Sequence, residues 1–406
     1  KKTHEAKIAV QEKHLDKYIK NIMDKGTQGQ VLAVNAMLEH APFVRAVAAE
    51  AYAAGARFVD VLYTDQRARR AHIEHAASEA LDWSPPWLVQ RLVEIGEGGG
   101  ALLGISGNPD PQVYAALDGS RVARARMRAV AEASLALTEG RCNWSIVAYP
   151  TEGWARTVFG EPDTARLWEA VASAVRLDEP DPVAAWQHHV DTLDRRAAAL
   201  NARRFDALRY RGPGTDLTVG LHHDSTWITA RGEIDGAAYV RNMPTEEVFT
   251  TPDARRVDGT VRATYPLQVQ GTIVRGLAIR FEGGRAVDVR ADEGEMLMRT
   301  LVATDDGSSR LGEVALVDAS SRVGRTGIVF FDTLFDENAA SHLALGAAIT
   351  TAIAGAADRT PQQRHADGVN HSSVHTDFMI GSTELDVAGV DRQGDETPIL
   401  RRGEWV

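Results

Sequence analysis

Residues 260–292 read TVRATYPLQVQGTIVRGLAIRFEGGRAVDVRAD, in which apolar and polar side chains alternate and glycines recur where the chain would turn. Alternation with a period of two places one set of side chains in a core and the other in solvent, which is typical of antiparallel sheets. The same pattern occurs in LTVGL (217–221) and GEVALVD (312–318). The C-terminal half is therefore predicted to be an α+β domain with a largely antiparallel sheet.

The N-terminal half has a different pattern, in which short apolar segments alternate with helical ones. The apolar segments lie at 29–35, 57–63, 100–107 and 144–150, and the helical ones at 42–54, 120–138 and 180–201. Strands that alternate with helices predict a mostly parallel sheet with flanking helices. The predicted fold class is therefore α/β, with an N-terminal α/β domain over 1–206 and a C-terminal catalytic domain over 207–406.

Composition and charge exclude several classes of function. The chain has 406 residues and a formal net charge of −11, and such an acidic surface disfavours a nucleic-acid partner. No segment approaches the roughly 18 apolar residues that cross a bilayer. Residues 1–25 are charged throughout and lack the apolar core of a signal peptide. Because the single cysteine, Cys142, also excludes a disulfide framework, we expect a cytoplasmic protein with no membrane partner.

Carboxylates and imidazoles, the oxygen and nitrogen ligands of divalent metals, occur in four short motifs. In an extended segment, residues two apart project on the same side and can reach one ion. The candidates are His375 and Asp377 in NHSSVHTDF (370–378), Glu337 and His342 in FDENAASHLALG (335–346), Glu246 and Glu247 in NMPTEEVFTTP (242–252), and Glu313 in LGEVALV (311–317).

Each candidate also has a simpler interpretation. Glu246 and Glu247 could form a solvated turn, Glu313 could pair with an arginine, and His342 could be a core histidine. Glu313 is the most informative, because an unpaired carboxylate in an apolar strand is costly. Together the candidates form a cysteine-free set suited to zinc, cobalt or manganese, and two ions about 3.5–4 Å apart occur in aminopeptidases.

The motifs resemble those of the thermophilic-type metallo-aminopeptidases, the group of aminopeptidases T and S. The resemblance spans most of the chain and is carried by WSIVAYPTEGWA (144–155), GPGTDLTVGL (212–221), NMPTEEVFTTPD (242–253), LGEVALV (311–317), DENAASHLALG (336–346) and NHSSVHTDFMIG (370–381). It implies a two-domain cytoplasmic homodimer that removes N-terminal residues from peptides or small amino-acid derivatives.

The same resemblance implies a set of site residues. Two divalent ions (Zn, Co or Mn) would be held by Glu247, Glu313, Glu337, His342, His375 and Asp377, with Glu313 as the bridging ligand. Glu313 would thereby take part in catalysis. Glu246, next to one ligand, is our candidate for the general base, although in a regular strand it would face away from Glu247.

One position departs from the family pattern. Members usually have a tyrosine seven residues after the histidine of the alanine-rich segment, whereas this chain has Ile349 there. We expect a helix over 338–357, which would place Ile349 on the same helical face as His342. The loss of a phenol at that position predicts weakened or altered activity.

Two other functions remain open from the sequence. Proteins of a related fold cleave dihydroxypyridine rings with a single iron, and His342, His375 and Asp377 could form such a 2-His-1-carboxylate site. A metal-binding relative without peptidase activity would also explain the missing tyrosine. His222 and His223 lack carboxylates at ligand spacing and are not expected to bind metal.

Overall fold

The computed structural model describes residues 29–138, 142–234, 237–269 and 271–406. The expectation about residues 1–25 therefore lies outside the described residues. The described strands are β1 (Val31–Met37), β2 (Phe58–Thr64), β3 (Ala101–Ser106), β4 (Asn143–Ala148), β5 (Ala207–Gly212), β6 (Thr215–Leu221), β7 (Arg231–Ile234), β8 (Ala237–Val240), β9 (Glu247–Thr250), β10 (Pro252–Arg262), β11 (Leu267–Val269), β12 (Thr272–Val274), β13 (Ala278–Glu282), β14 (Arg285–Arg290), β15 (Leu311–Val317), β16 (His342–Gly346), β17 (His375–Met379), β18 (Asp386–Val390), β19 (Glu396–Arg401) and β20 (Glu404–Trp405).

The α-helices are shorter on average in the second half of the chain than in the first. They are α1 (Ala41–Ala53), α2 (Gln66–His75), α3 (Pro86–Glu97), α4 (Gly119–Arg124), α5 (Arg128–Thr138), α6 (Glu152–Phe159), α7 (Thr164–Ala174), α8 (Pro182–Arg203), α9 (Glu295–Val302), α10 (Thr333–Asp336) and α11 (Pro361–Ala366). None of the helices within the described ranges is long and apolar enough to cross a membrane.

The chain divides into two compact units. The first extends to Val190 and includes Ala230–Thr245, and the second consists of Asp191–Thr229 and Glu246–Val406. The division between them falls within α8, whereas the sequence placed a boundary just after that helix.

The first unit contains a parallel four-stranded sheet in the order β2-β1-β3-β4. Helices α3 and α5 cover it with an apolar cluster that includes Leu92, Leu102 and Leu137. The predicted parallel sheet with helices is therefore confirmed. The segment 120–138, expected as one helix, forms α4 and α5, because Met127 between them has a φ of 49° that a helix does not accept.

The second unit contains an antiparallel eight-stranded sheet in the order β14-β13-β10-β6-β5-β18-β19-β20 and a four-stranded sheet in the order β17-β16-β15-β9. One buried apolar cluster joins them, with Leu217 and Val257 from the larger sheet and Val314 and Leu343 from the smaller. The predicted antiparallel character of this half is confirmed. The smaller sheet carries most of the candidate ligands.

Candidate metal centre

The four-stranded sheet has two faces of different character. On one face lie Val248, Val314, Leu316, Leu343 and Phe378, all of which belong to the buried apolar cluster. Because side chains alternate along a strand, the residues next to them in sequence point to the opposite face. That opposite face carries the carboxylates and imidazoles.

Strand register brings the ligands of three strands into line. Glu313 on β15 lies opposite Ala344 on β16, and Ala344 lies opposite Asp377 on β17. His342 lies opposite Ala315, one row along the same face. Since the alanines between the polar side chains end at Cβ, the face leaves room for ions above it.

Two further candidate ligands, Glu247 and His375, lie on the two outer strands of this sheet. Glu247 on β9 lies opposite Val317, and His375 on β17 lies opposite Gly346. Directly paired residues point to the same side of a sheet, and Val317 points to the same side of β15 as Glu313 and Ala315. Five of the six predicted ligands therefore share one face.

The side-chain atoms form two groups that share a carboxylate. One group is Glu247, Glu313 and His342, the other is Glu313, His375 and Asp377, and within each group the potential ligand atoms lie within 4.8 Å of one another. The Nε2 atom of His342 lies 3.1 Å from an Oε of Glu247, and that of His375 lies 3.2 Å from an Oε of Glu313. Glu313 is therefore placed where a bridging ligand would lie.

Both histidines are oriented by the backbone. The Nδ1 atom of His342 lies 3.3 Å from the carbonyl oxygen of Ala340, and that of His375 lies 2.9 Å from the carbonyl oxygen of Ala347. A carbonyl only accepts, so Nδ1 donates in each ring, and Nε2 is the nitrogen that would bind a cation after it gives up its proton. Loss of that proton leaves the tautomer that a histidine ligand requires.

Glu337 joins the centre from a 3-10 turn, Glu337–Ala339, rather than from the sheet. Burial raises the pKa of Glu337 well above its usual range, and the nearby charges of Asp377 and Glu247 raise it further. The next residue, Asn338, accepts a hydrogen bond from the backbone N–H of Glu246 at 2.6 Å. This amide, which the sequence analysis did not single out, ties the turn to the beginning of β9.

The protonation of the centre reflects its concentration of carboxylates. Burial raises the pKa of Glu313, and although His375 opposes this, Asp377 and Glu247 reinforce it. Burial by itself would lower the pKa of His342, but the carboxylate of Glu247 and its neighbours raise that pKa to about 10. Protons thus offset the charges of the carboxylates, and a bound metal ion has to displace them.

The expected helix over 338–357 is wrong. Residues 342–346 form strand β16, and 3-10 turns follow at Thr350–Ala352 and Ala356–Asp358. Ile349 therefore shares no helical face with His342. It is half-buried, and its backbone N–H and carbonyl both bond to the hydroxyl of Thr251, at 3.1 and 2.9 Å.

His222 and His223, which are not expected to bind metal, have carboxylates near them in the fold, and with Asp224 they form a third group of potential ligand atoms within 4.8 Å of one another. Asp224 and Asp367 lie within 3.2–3.8 Å of their rings, but Arg359 already donates to both carboxylates. The Nδ1 atom of His222 accepts a hydrogen bond from the N–H of Asp224, so Nε2 carries the proton. This is the opposite tautomer from the one in the metal centre, and we assign no ion to this cluster.

Sequence and structure comparisons show which proteins this chain resembles. The model of the thermophilic metalloprotease family (M29) matches residues 11–405. Aminopeptidase T of Thermus thermophilus is 46% identical over 387 residues, which cover 93% of this chain and 94% of that protein. The wild-type AmpT structure from Thermus thermophilus superposes with a TM-score of 0.87, at 42% identity over 97% of this chain and 99% of that one.

A more distant similarity concerns the fold alone. The structure of 2,5-dihydroxypyridine dioxygenase from Pseudomonas putida KT2440 covers 97% of this chain and 96% of its own, with a TM-score of 0.54 and 11% identity. On the family match and the similarity to these relatives, the chain belongs to the thermophilic metalloprotease family (M29).

Proposed function

We propose that this chain is an aminopeptidase that hydrolyses the N-terminal peptide bond of peptides with the help of two divalent metal ions. The observation that supports two ions best is the position of Glu313 in both ligand groups. Charge supports the same number: once bound metal has displaced their protons, the carboxylates of Glu247, Glu313, Glu337 and Asp377 would carry four negative charges, which two divalent ions would balance. A single ion would leave buried charge uncompensated, which is costly.

The donor set fits the proposed ions. Carboxylate oxygens and imidazole nitrogens, without thiolates, are suited to zinc, cobalt or manganese. The rings of His342 and His375 direct Nε2 towards the centre, and five of the six proposed ligands lie on strands, which favours a fixed geometry.

Bound divalent ions would polarise the scissile carbonyl and lower the pKa of a coordinated water to about 7. The residues of the chain then have three tasks. The six ligands would hold the ions, and Glu246, the candidate general base, would take a proton from the attacking water and give it to the leaving amine as the C–N bond breaks. A free α-amino group would bind one of the ions or pair with a carboxylate of the centre, which would restrict cleavage to the N-terminus.

The oxygenase alternative is not favoured. A single iron held by His342, His375 and Asp377 has no use for Glu247 and Glu337, which the fold nevertheless brings to the same place. The distant similarity to the dioxygenase concerns the shared fold and carries no information about chemistry.

A pair of substrates tests the proposed activity. Leucyl-p-nitroanilide should be hydrolysed in the presence of cobalt, zinc or manganese, and its Nα-acetylated form should not. Glu247→Gln should lower kcat/KM at least ~10²-fold, the loss typical of one electrostatic group in an active site. Glu169→Gln, at an exposed glutamate on α7, is the matched control. Equal cleavage of the acetylated substrate would contradict an aminopeptidase.

The assembly and location of the protein are also proposals. The resemblance to family members supports a homodimer in the cytoplasm, and the charged, cysteine-poor composition is compatible with that location. Light scattering coupled to size-exclusion chromatography measures the mass in solution. A mass of one chain at micromolar concentration contradicts the dimer.

A further inference from the structure

Three segments that meet at one end of the four-stranded sheet each adjoin a strand with metal ligands. Residues 305–310 lead into β15, residues 346–348 leave β16, and residues 370–374 lead into β17. The pairing of Gly346 with His375 and of Leu311 with Leu345 shows that these are the same end of the sheet. The positions of Glu313 and His375 therefore depend on how these segments are joined.

We propose that Asp305 is a positioning residue for the proposed metal centre, whose carboxylate fixes the segment before β17 and so places His375 and Asp377 relative to Glu313. This inference rests on the proposed function, because it assumes that these side chains bind ions. The role is distinct from ligation, since Asp305 belongs to neither ligand group.

The carboxylate of Asp305 accepts hydrogen bonds from both sides of the junction. On its own side it accepts the backbone N–H groups of Gly307 and Ser308, at 3.1 and 2.9 Å. Across the junction it accepts the hydroxyl of Ser372 at 2.7 Å and both the N–H and the hydroxyl of Ser373, each at 2.8 Å. One carboxylate thus joins the two segments through five hydrogen bonds.

Asn370 forms a second connection at the same place. Its side chain is buried, and its Nδ2 donates to the carbonyl of Gly307 at 2.8 Å and to that of Gly346 at 2.5 Å. A Cβ atom on Gly307 would lie 2.0 Å from the carbonyl oxygen of His371, and one on Gly346 would lie 2.0 Å from that of Val374. The backbones are therefore in direct contact, with no space for a side chain between them.

The junction reaches the metal centre through the backbone. The N–H of Ala347 donates to the carbonyl of Val374 at 2.6 Å, and the carbonyl of Ala347 accepts Nδ1–H of His375. A shift of residues 372–374 would move the carbonyl that orients this imidazole. Partners that orient metal ligands typically contribute about 10–100-fold in metal affinity.

The two ligand groups differ in their distance from this junction. His375 follows Ser373 by two residues, whereas Glu247 and His342 lie towards the other end of their strands, opposite Val317 and Ala315. Loss of Asp305 should therefore weaken one ion site much more than the other. A residue that only stabilises the fold would weaken both sites together.

The test is a cobalt(II) titration of the metal-free full chain, followed by its visible absorption. Asp377→Ala first identifies the absorption band of the ion that Asp377 binds. Asp305→Asn should then lower the affinity for that ion about 10–100-fold and change the other affinity less than about threefold. Asp306→Asn, at the adjacent exposed aspartate that pairs with Arg285, should leave both affinities unchanged.

A second variant covers the case in which Asp305→Asn does not fold. Ser372→Ala/Ser373→Ala keeps the carboxylate and removes two of its donors, and it should weaken the same site. The inference is overturned if both sites weaken equally or if neither changes in a folded variant. A wild-type chain that does not bind two cobalt ions contradicts the proposed function instead.

Discussion

Glu313→Gln removes one negative charge from a side chain that lies within reach of both ligand groups, with little change in size. Glutamine keeps one oxygen ligand and replaces the other with an NH₂ group, which cannot bind a cation. If Glu313 bridges two ions, the substitution weakens both sites. If it is a terminal ligand, one site keeps its affinity.

The expected effect on Tm follows from the linkage between metal binding and folding. At a metal concentration 100 times the dissociation constant, each site stabilises the folded state by about 2.7 kcal/mol, so two sites contribute about 5 kcal/mol. For a domain of the size of the second unit, 1 kcal/mol shifts Tm by about 2–4 °C, which predicts a gain of about 10–20 °C. A 100-fold loss at each site leaves about 0.4 kcal/mol per site and a gain of about 2–3 °C.

Differential scanning calorimetry with a chelator and with cobalt measures these gains. The metal-free variant should be at least as stable as the wild type, because burial and the charges of Asp377 and Glu247 already raise the pKa of Glu313. A variant that keeps about half of the wild-type gain, with one site of unchanged affinity, would refute the bridging role.

Three further predictions concern other residues. His375→Ala or Asp377→Ala should remove the ion that these side chains bind, and activity with it, while circular dichroism stays unchanged, and full metal content in either variant would show that the ligands are misassigned. Ile349→Tyr should raise kcat on aminoacyl-nitroanilides at least several-fold, because it introduces the hydroxyl that the family resemblance implies at this position, which could donate to the developing oxyanion. If the wild type already hydrolyses these substrates rapidly and the variant is no faster, another group supplies that donor. Burial raises the pKa of Asp305 but its hydrogen bonds to Ser373 and its neighbours outweigh this, so the pKa is lowered. The stability that Asp305 contributes should therefore be complete above the pKa of an unfolded aspartate, about 4, and be lost as the pH falls through the lower folded-state pKa. Urea unfolding of the wild type and of Asp305→Asn should therefore converge in acid.

The sequence predicted those parts of the centre that depend on local strand geometry. Alternation alone places His375 and Asp377 on one side of their strand. The single charge of Glu313 in an apolar strand indicates a buried carboxylate that needs a partner or a metal ion. The family motifs supplied the set, and the family, the fold class and the hydrolase class are confirmed. The individual roles of the ligands and of Glu246 stay predictions.

The error over 338–357 has a physical cause. Alanine and leucine favour helices locally, but short apolar runs do not distinguish a buried strand from a helix. In the fold, residues 342–346 lie between β15 and β17 and are buried on both faces, so pairing with two neighbours outweighs local propensity. Gly346, with a φ of 102°, also ends any helical conformation there.

Contacts between segments that are distant in the sequence could not be predicted from local sequence patterns. DDGSS (305–309) is typical of a turn, and nothing in it indicates that Asp305 reaches Ser372 and Ser373. The partner of His222, Asp367, is equally remote in the chain. Such contacts are set by the register of the sheets, which the sequence analysis did not assign.

The most direct test of the central claim is the number of metal ions per chain, measured by elemental analysis after the metal-free protein is loaded with cobalt, zinc or manganese and freed of excess ion. The account predicts two ions per chain in an active protein, since Glu313 belongs to both ligand groups. One ion per chain at full activity, or a single tightly bound iron, would contradict it.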